Sequence, residues 1–438
     1  LALLLASLGA GSSTDSADIV ARSFALAERA RARGLLDLLA ESRAQLADDL
    51  DPGLRQRERE ILDRLGAATV RSASTDADVR AAARVESDAA RQELDRLHVR
   101  MRLSAPRYAD IAFPEPVSLA GVRTLLDVGE TLVEYFIGEE NAWLWLIDGQ
   151  TARVHALDHP DRLRRALAAV VEAQAADLGD GETERAAEAA ARALGLVPPH
   201  LPPAGRRLVL VPDGPLHHVP VEALRVAGGY LIERHETATV PSASALGVLR
   251  RQSRPQAAGG FLGVGDPRPG DAAGLQPLPF SAAELEAIAA LFPAAERRVL
   301  KGAHATRAEL RALDLERYRY LHFATHGWID DLDLSRSGLH LTPAPGEAAT
   351  DLLSVDDIFG LQLDAELVVL SACRSGVGEA LNGEGLVGLT RAFLYAGARG
   401  IVVSLWNIGD ASTPDFMQTF YARLRAGEPV AAALRQAK

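Results

Sequence analysis

Cysteine is almost absent from this chain of 438 residues, which contains a single one, Cys373. One thiol excludes an internal disulfide, and it excludes zinc and iron–sulfur sites that need several cysteines. A reducing compartment therefore suits the chain, and we expect a cytoplasmic location. The lone thiol is either a buried small hydrophobic group or a nucleophile, and its sequence context has to decide between the two.

An excess of positive charge is also missing, because 47 basic residues face 59 acidic ones and the net charge is −12. Proteins that bind the nucleic-acid backbone carry a basic surface, so direct nucleic-acid binding is not expected. No apolar run approaches the ~18 residues that span a bilayer, and no membrane association is expected. The apolar residues 1–8 lack the charged region of a signal peptide and are interpreted as the end of a helix.

What the chain does contain divides into three predicted parts. Residues 1–106 repeat apolar positions such as Phe24 at helical spacing, which predicts a helical segment folded as an antiparallel hairpin, as at the end of a helical repeat array. Residues 107–255 read as short strands, an Ala-rich helical stretch and a buried strand, which predicts an accessory α/β subdomain. Residues 256–438 alternate strands with helices.

The third part predicts a mostly parallel sheet covered by helices on both faces, because its apolar strands alternate with helices. Three of the helices begin at predicted capping boxes, Ser281-x-x-Glu284, Thr306-x-x-Glu309 and Ser354-x-x-Asp357. The helical pattern is interrupted at the last residues, so we expect the chain to be a piece of a longer protein.

Two of the predicted strands end in reactive residues. His326, followed by Gly327, ends one strand, and Cys373 ends another 47 residues later. The carboxyl ends of parallel strands share one edge of a sheet, where ligands bind. If the two strands are neighbours, His326 and Cys373 face each other, with a separation in sequence close to the ~50 residues between histidine and cysteine in caspases.

The residues around this pair suit thiol chemistry. His326 can serve as a general base, and the adjacent Arg374 also favours the thiolate form of Cys373. The backbone N–H groups of Gly327 and Cys373 are predicted to form an oxyanion hole, since donors at strand ends need little reorganisation. His322, four residues before His326 on the same strand, is expected to be structural.

The motifs THG, LSACRSG and GEGLVGLTRAFLYAGARGIVVSLWNI resemble the CHAT family of caspase-like (clan CD) cysteine proteases, relatives of separase. The resemblance covers roughly residues 115–438. It implies a caspase-like, mostly parallel sheet flanked by helices, preceded by a pseudo-caspase-like accessory subdomain and a helical segment. By the same resemblance, His326 and Cys373 occupy the positions of the catalytic dyad, and the C-terminal strand of the family is missing.

The function that this resemblance implies is cleavage of a protein substrate by a cysteine endopeptidase. A regulatory protein or sensor that contacts the N-terminal helices would switch the enzyme on in a bacterial defence or cell-death pathway. No cofactor and no metal are expected, since the glycines at 383, 385 and 388 are not followed by the Lys-Ser/Thr of a phosphate loop.

Three alternatives remain open. A catalytically silent scaffold or interaction module would have the same fold, although Gly327 and Cys373 are both intact. A glutaminase-type amidotransferase also uses cysteine and histidine, but in the reverse order along the chain. A flavodoxin-like binder of small molecules would use the same sheet edge without needing the pair.

Two further expectations concern specificity and regulation. Acidic residues follow the strands around the nucleophile, and they predict a pocket for a basic residue before the scissile bond, lined by Asp266, Glu384 and Asp410. The glycine-rich segment Gly376–Gly388 is expected to be mobile, so that activity is low until a partner orders it.

Overall fold

The computed structural model describes residues 17–29, 77–104, 116–175, 180–251, 259–268, 278–328, 337–343, 352–371, 384–405 and 413–438, together with residue 31 and separate positions between 51 and 71. The chain forms two compact units. One comprises Leu1–Ala30 and Pro116–Lys438, and the other comprises Arg31–Glu115. The division of the sequence into three parts, at residues 106 and 255, stays a prediction.

The described helices are α1 (residues 17–29), α2 (Ala77–Ser104), α3 (Leu119–Leu125), α4 (Pro160–Ala175), α5 (Asp180–Ala193), α6 (Leu231–Arg234), α7 (Ala243–Arg251), α8 (Ser281–Ala289), α9 (Arg307–Arg311), α10 (Val355–Phe359), α11 (Glu384–Ala396), α12 (Thr413–Arg425) and α13 (Val430–Ala437). The described strands are β1 (Glu130–Ile137), β2 (Ala142–Ile147), β3 (Ala152–Ala156), β4 (Arg207–Val211), β5 (Arg225–Val226), β6 (Gly229–Tyr230), β7 (Glu236–Thr239), β8 (Gly260–Pro267), β9 (Arg297–Gly302), β10 (Tyr318–Ala324), β11 (Gly327–Trp328), β12 (Gly338–His340), β13 (Leu352–Ser354), β14 (Leu367–Leu370) and β15 (Ile401–Val403). None of these helices is both long and apolar enough to cross a lipid bilayer.

The described residues of the smaller unit are mostly helical. Its ion pairs join residues 57–71 to α2 in antiparallel order, because Arg64 bonds Glu93 (2.9 Å) and the later Arg71 bonds the earlier Glu86. The helical positions before α2 begin at Asp51, whose carboxylate accepts a hydrogen bond from the Gly53 amide (2.8 Å). The helical hairpin expected from the sequence for residues 1–106 stays a prediction.

The first five-stranded sheet has the order β3-β2-β1-β4-β7. Strands β1, β4 and β7 are parallel, whereas β2 and β3 pair antiparallel. Helices α4 and α5 cover one face, where Tyr135 and Leu144 lie in the core with Leu167. Helices α1, α3 and α7 cover the other face, around Trp145. The alternation of buried side chains along the strands therefore supplies two cores.

The second five-stranded sheet has the order β15-β14-β10-β8-β9, and all its strands are parallel. Tyr320 faces the side of α8 and α12, where it meets Phe261 and Tyr421 in one core. Phe323 faces the opposite side and contacts Phe393 of α11, with ring centroids 5.5 Å apart. The sheet is thus covered by helices on both faces, which confirms the mostly parallel α/β architecture and places β10 at its centre.

Helix α1 belongs to the core of the first sheet, although the whole smaller unit separates it in sequence from that sheet. Phe24 is fully buried there, and Ser23 accepts a hydrogen bond from the Trp145 indole (3.3 Å). The buried Glu28 carboxylate accepts hydrogen bonds from the Ala243 amide (3.1 Å) and the Ser244 amide (2.8 Å) at the start of α7. A carboxylate at this position satisfies amides that the first turn of a helix leaves unpaired.

Of the three predicted capping boxes, one is complete. Ser354 and Asp357 bond each other's backbone amides at the start of α10. At α9, Thr306 caps the Glu309 amide. At α8 the prediction is wrong, because Ser281 instead donates to the Leu278 carbonyl, and the Glu284 side chain turns into the sheet.

Candidate active site

His326 follows the central strand of the second sheet, and its backbone is held in place by a small antiparallel sheet of β11, β12 and β13. The His326 carbonyl accepts a hydrogen bond from the His340 amide (2.8 Å), and the Thr325 hydroxyl donates to the His340 carbonyl. Gly327 begins β11 and pairs with Leu339. Only 5% of the His326 surface is exposed. The histidine therefore stands on a backbone fixed from both sides.

The strand that leads to Cys373 is the direct neighbour of β10. Strands β10 and β14 pair in parallel, with Phe323 opposite Leu370. His326 and Cys373 each follow this register pair by three residues. Cys373 lies outside the described residues, as does most of Gly376–Gly388. The last described residue before Cys373 is Ser371, which directly follows β14. The condition set by the sequence, that the two strands are neighbours, is met.

Asp266 stands at the end of β8, the neighbour of β10 on its other side. Ala324 of β10 is paired with Gly265 of β8, one residue before Asp266. The pairing of β8 with β9 shifts between Gly265 and Pro267, so Asp266 is the extra residue of a bulge. Its φ is +48°, a left-handed conformation that costs energy in a residue with a side chain. Bulges of this kind redirect a side chain at a sheet edge.

The Asp266 side chain is half-buried. Among the described residues, its carboxylate takes part in no hydrogen bond or ion pair. The segment after it is anchored by Thr342, whose hydroxyl accepts a hydrogen bond from the Arg268 amide (2.8 Å) and donates to the Gly302 carbonyl (2.7 Å). Thr342 thus connects the ends of β8, β9 and β12 by hydrogen bonds. The Asp266 carboxylate takes no part in these bonds.

The other predicted pocket residues are less informative. Glu384 is the first residue of α11, and Asp410 lies outside the described residues. In the ranges that the structure describes, no group of three or more His, Cys, Asp or Glu side chains is arranged to hold a metal ion. The described geometry thus brings His326 and Asp266 to one edge of the sheet, on adjacent strands.

A polar cluster that the sequence did not reveal lies below this edge. His322 is fully buried, with its Nε2 atom 3.0 Å from the Glu284 carboxylate and its Nδ1 atom 3.2 Å from the Tyr421 hydroxyl. Burial, followed by the nearby Glu284, raises the pKa of Tyr421 well above its usual value. Glu284 does carry a signal in the sequence, since it lies in line with Ser281, Leu285 and Ile288 on the buried side of α8.

In chemical terms, the edge combines a histidine on a fixed backbone with the strand that leads to the single thiol. A carboxylate stands on the opposite flank. A nucleophile, a general base and an anionic side pocket are the groups that an acyl-transfer site with a cationic substrate requires.

The chain is similar to one protein family and to two curated proteins. A family model described as the CHAT domain matches residues 163–438. Tetratricopeptide repeat protein 28 of Homo sapiens is 28% identical over 281 residues, and the protein of the same name from Mus musculus is equally similar. In both cases the match covers 53% of this chain and 11% of the relative. The chain therefore spans only a small part of the length of these curated relatives.

Proposed function

Because the chain belongs to the CHAT domain family, we propose that it is a cysteine endopeptidase whose catalytic dyad is His326 and Cys373. The parallel sheet with helices on both faces is the caspase-like fold of that family. The observation that carries the proposal is the pairing of β10 with β14, because the two residues follow the same register pair at equal distance. Neighbouring strand ends bring a base and a nucleophile to one cleft.

The reaction follows from these roles. His326 removes the proton from the Cys373 thiol, and the thiolate attacks the scissile carbonyl carbon. The backbone N–H groups of Gly327 and Cys373 stabilise the oxyanion of the tetrahedral intermediate. As the peptide C–N bond breaks, the leaving amine takes the proton from His326, and a thioester remains. Water, deprotonated by His326, then hydrolyses the thioester and restores the thiol.

The preferred substrate carries a basic residue before the scissile bond. Asp266 supports this preference, because a half-buried carboxylate with no donor among the described residues suits the guanidinium of an arginine. Glu384 and Asp410 complete the acidic pocket in the proposal. The Gly265-Asp266 bulge directs this carboxylate along the edge that β8 shares with β10.

Regulation by an upstream sensor or partner protein forms the second part of the proposal. A protein partner that binds α1 would influence the first five-stranded sheet, because Glu28 of α1 bonds the start of α7 on that sheet. The setting, a bacterial defence or cell-death response in the cytoplasm, rests on the family alone. Full-length protein with its partner should then cleave faster than the chain by itself.

A silent interaction module is the second candidate function. The relatives favour it, because their name refers to tetratricopeptide repeats and not to a catalytic activity. Such a module would retain the fold and the paired strands but would not form a covalent adduct with a substrate-like inhibitor.

A covalent peptide probe tests the enzyme against the module. We expect an acyloxymethyl ketone that ends in arginine to label the full chain at Cys373, as read by mass spectrometry of tryptic peptides. Cys373→Ala should lose the label, and His326→Ala should slow labelling about 10³-fold or more. His304→Ala is the matched control, since this exposed histidine is held by Glu309 at the same sheet edge. Failure of basic, acidic and apolar probes alike to label the full chain would refute the enzyme.

A further inference from the structure

The approach of α8 to the second sheet depends on glycine in β8. A Cβ atom added at Gly263 would lie 2.8 Å from the Leu285 side chain, and one at Gly265 would lie 2.9 Å from it. Both distances are shorter than real side-chain contacts allow. Gly263 is also the register partner of His322 on β10. Gly263 therefore leaves room for Leu285 of α8 beside His322, whereas the atom nearest to a Cβ at Gly265 is the Ala324 carbonyl oxygen of β10, so that glycine also serves the strand pairing.

The resulting cluster joins three elements through one imidazole. A neutral imidazole offers one donor and one acceptor. Here Nε2 donates to the Glu284 carboxylate on α8 (3.0 Å), and Nδ1 shares a hydrogen bond with the Tyr421 hydroxyl on α12 (3.2 Å). Both hydrogen-bonding atoms of the ring are therefore used, and each partner comes from a different helix.

An aromatic layer separates the cluster from water. The Tyr421 ring meets Phe261 edge-on at 5.7 Å, and Tyr320 lies 6.1 Å away. Glu284 is 2% exposed, and His322 and Tyr421 are inaccessible. A carboxylate in such surroundings gains little net stability over apolar side chains of the same volume. Hydrogen bonds, in contrast to apolar contacts, are directional, and they fix one strand position relative to both helices.

We propose that Glu284, His322 and Tyr421 are positioning residues for the His326 site, because they lock β10 against α8 and α12 and so fix the point at which His326 leaves the sheet. The proposal rests on the proposed function where it concerns catalysis. Its structural half, the fixed placement of the His326 ring, stands without it.

An apolar replacement separates positioning from stability. The triple variant Glu284→Leu, His322→Leu, Tyr421→Phe removes every polar atom of the cluster while keeping its volume, so its Tm should approach that of the wild type. We expect its kcat on an arginine peptide to fall about a hundredfold, because displacements of about 1 Å at a reacting group have effects of this size. Its KM should change by less than about threefold. Wild-type kcat in the folded triple variant would overturn the proposal.

Two milder variants keep the test decisive if the triple variant does not fold. Tyr421→Phe removes one hydroxyl and retains the aromatic contacts. Glu284→Gln retains an acceptor for His322 and should keep at least about tenfold more activity than Glu284→Leu. Equal activity of the Gln and Leu variants at equal Tm would contradict a positioning role.

A readout without catalysis distinguishes this proposal from the proposed function. In NMR spectra of the histidine-labelled protein, the His326 ring signal is assigned with His326→Gln. We expect one sharp signal in the wild type, and a shifted or doubled signal in Tyr421→Phe. An unchanged His326 signal would overturn the positioning role even in an active enzyme. If the His326 signal changes in Tyr421→Phe while the wild-type protein cleaves no peptide, the positioning role is supported and the peptidase is refuted.

Discussion

The two five-stranded sheets differ in how they use the acidic residue at their carboxyl edge. In the first sheet, Asp213 follows β4 and accepts a hydrogen bond from the Ile137 amide (2.6 Å). The acidic group at this carboxyl edge therefore stabilises the fold. At the other end, buried Glu130 is paired with Arg207 (3.4 Å) and with Arg250. In the second sheet, Asp266 follows β8 in a strained bulge and meets no donor within the described ranges.

The difference teaches where a ligand can bind. Burying a charge is costly unless a partner stabilises it, and in the first sheet Asp213 and Glu130 each have such a partner. The second sheet leaves a carboxylate available at the edge where His326 ends the central strand. Charged groups whose interactions the fold does not complete are typical of functional sites. Under the proposed function, the acidic group at the edge of the first sheet serves stability, and Asp266 at the edge of the second sheet serves the substrate.

The largest expected effect separates His326 from His235, a buried histidine beside the first sheet. His326→Ala should lower kcat/KM by about 10³-fold or more, because base and nucleophile act as a unit. His235 in the first sheet instead bonds the Arg206 carbonyl (3.0 Å), and His235→Ala should lower Tm with little change in kcat/KM. Peptide cleavage and thermal unfolding of both variants measure the contrast. Loss of cleavage in a folded His235→Ala variant would break it.

A smaller effect is expected for the two edge carboxylates. Asp266→Asn should reduce cleavage of arginine peptides about tenfold to a hundredfold and spare neutral peptides, since a hydrogen bond to a charged group contributes about 1.5–3 kcal/mol. Asp213→Asn should leave specificity unchanged and cost about 1 kcal/mol of unfolding free energy. A peptide library and urea unfolding give the two values. A preference for acidic or apolar residues in the wild type would remove Asp266 from the pocket.

Helix α1 provides a test of stability in the first sheet alone. Glu28→Ala leaves two amides of α7 without their partner and should lower the free energy of unfolding by about 2 kcal/mol. Glu172→Ala, at an exposed position of α4, is the matched control and should stay within about 0.5 kcal/mol of the wild type. Urea unfolding measures both variants. If Glu28→Ala and the wild type unfold at the same urea concentration, the Glu28 contact contributes nothing to stability.

The smallest effect concerns pH. Burial lowers the pKa of His235, and burial together with His200 lowers the pKa of His155, both in the first sheet. The unfolded chain therefore binds more protons than the folded one below about pH 6.5, and stability decreases as the pH falls through this range. Tm should drop between about pH 7.5 and pH 5.5, and it should drop less in His235→Gln. Identical pH profiles would exclude His235 as a contributor.

Several elements could be predicted from the sequence because their pattern is local. The apolar run of residues 207–211 indicates a strand and forms β4, and the helical patterns of residues 384–396 and 413–425 form α11 and α12. Strand β9 has no such signal, since it lies at the edge of the sheet and begins with two arginines. Edge strands with polar side chains lack the apolar run by which a buried strand is recognised.

The candidate site shows the same limit. The histidine and the cysteine could be proposed because each follows an apolar strand at a spacing typical of caspases. The bulge at Asp266 and the contact between Glu284 and His322 depend on how β8, β9 and α8 meet, and no local pattern contains that information. The Ser281-x-x-Glu284 motif predicted a cap for this reason, although the carboxylate is 2% exposed and bonded to His322.

The position of α1 has a consequence for folding during synthesis on the ribosome. Glu28 and the α7 amide that it bonds are 215 residues apart in the chain, so at a synthesis rate of about 5–20 residues per second the helix waits about 10–40 seconds for its partner. Until the end of that interval the core around Phe24 lacks α7, and the apolar side of α1 is incompletely covered. Nascent chains that stop before Ala243 should therefore recruit a chaperone at α1, and longer ones should release it.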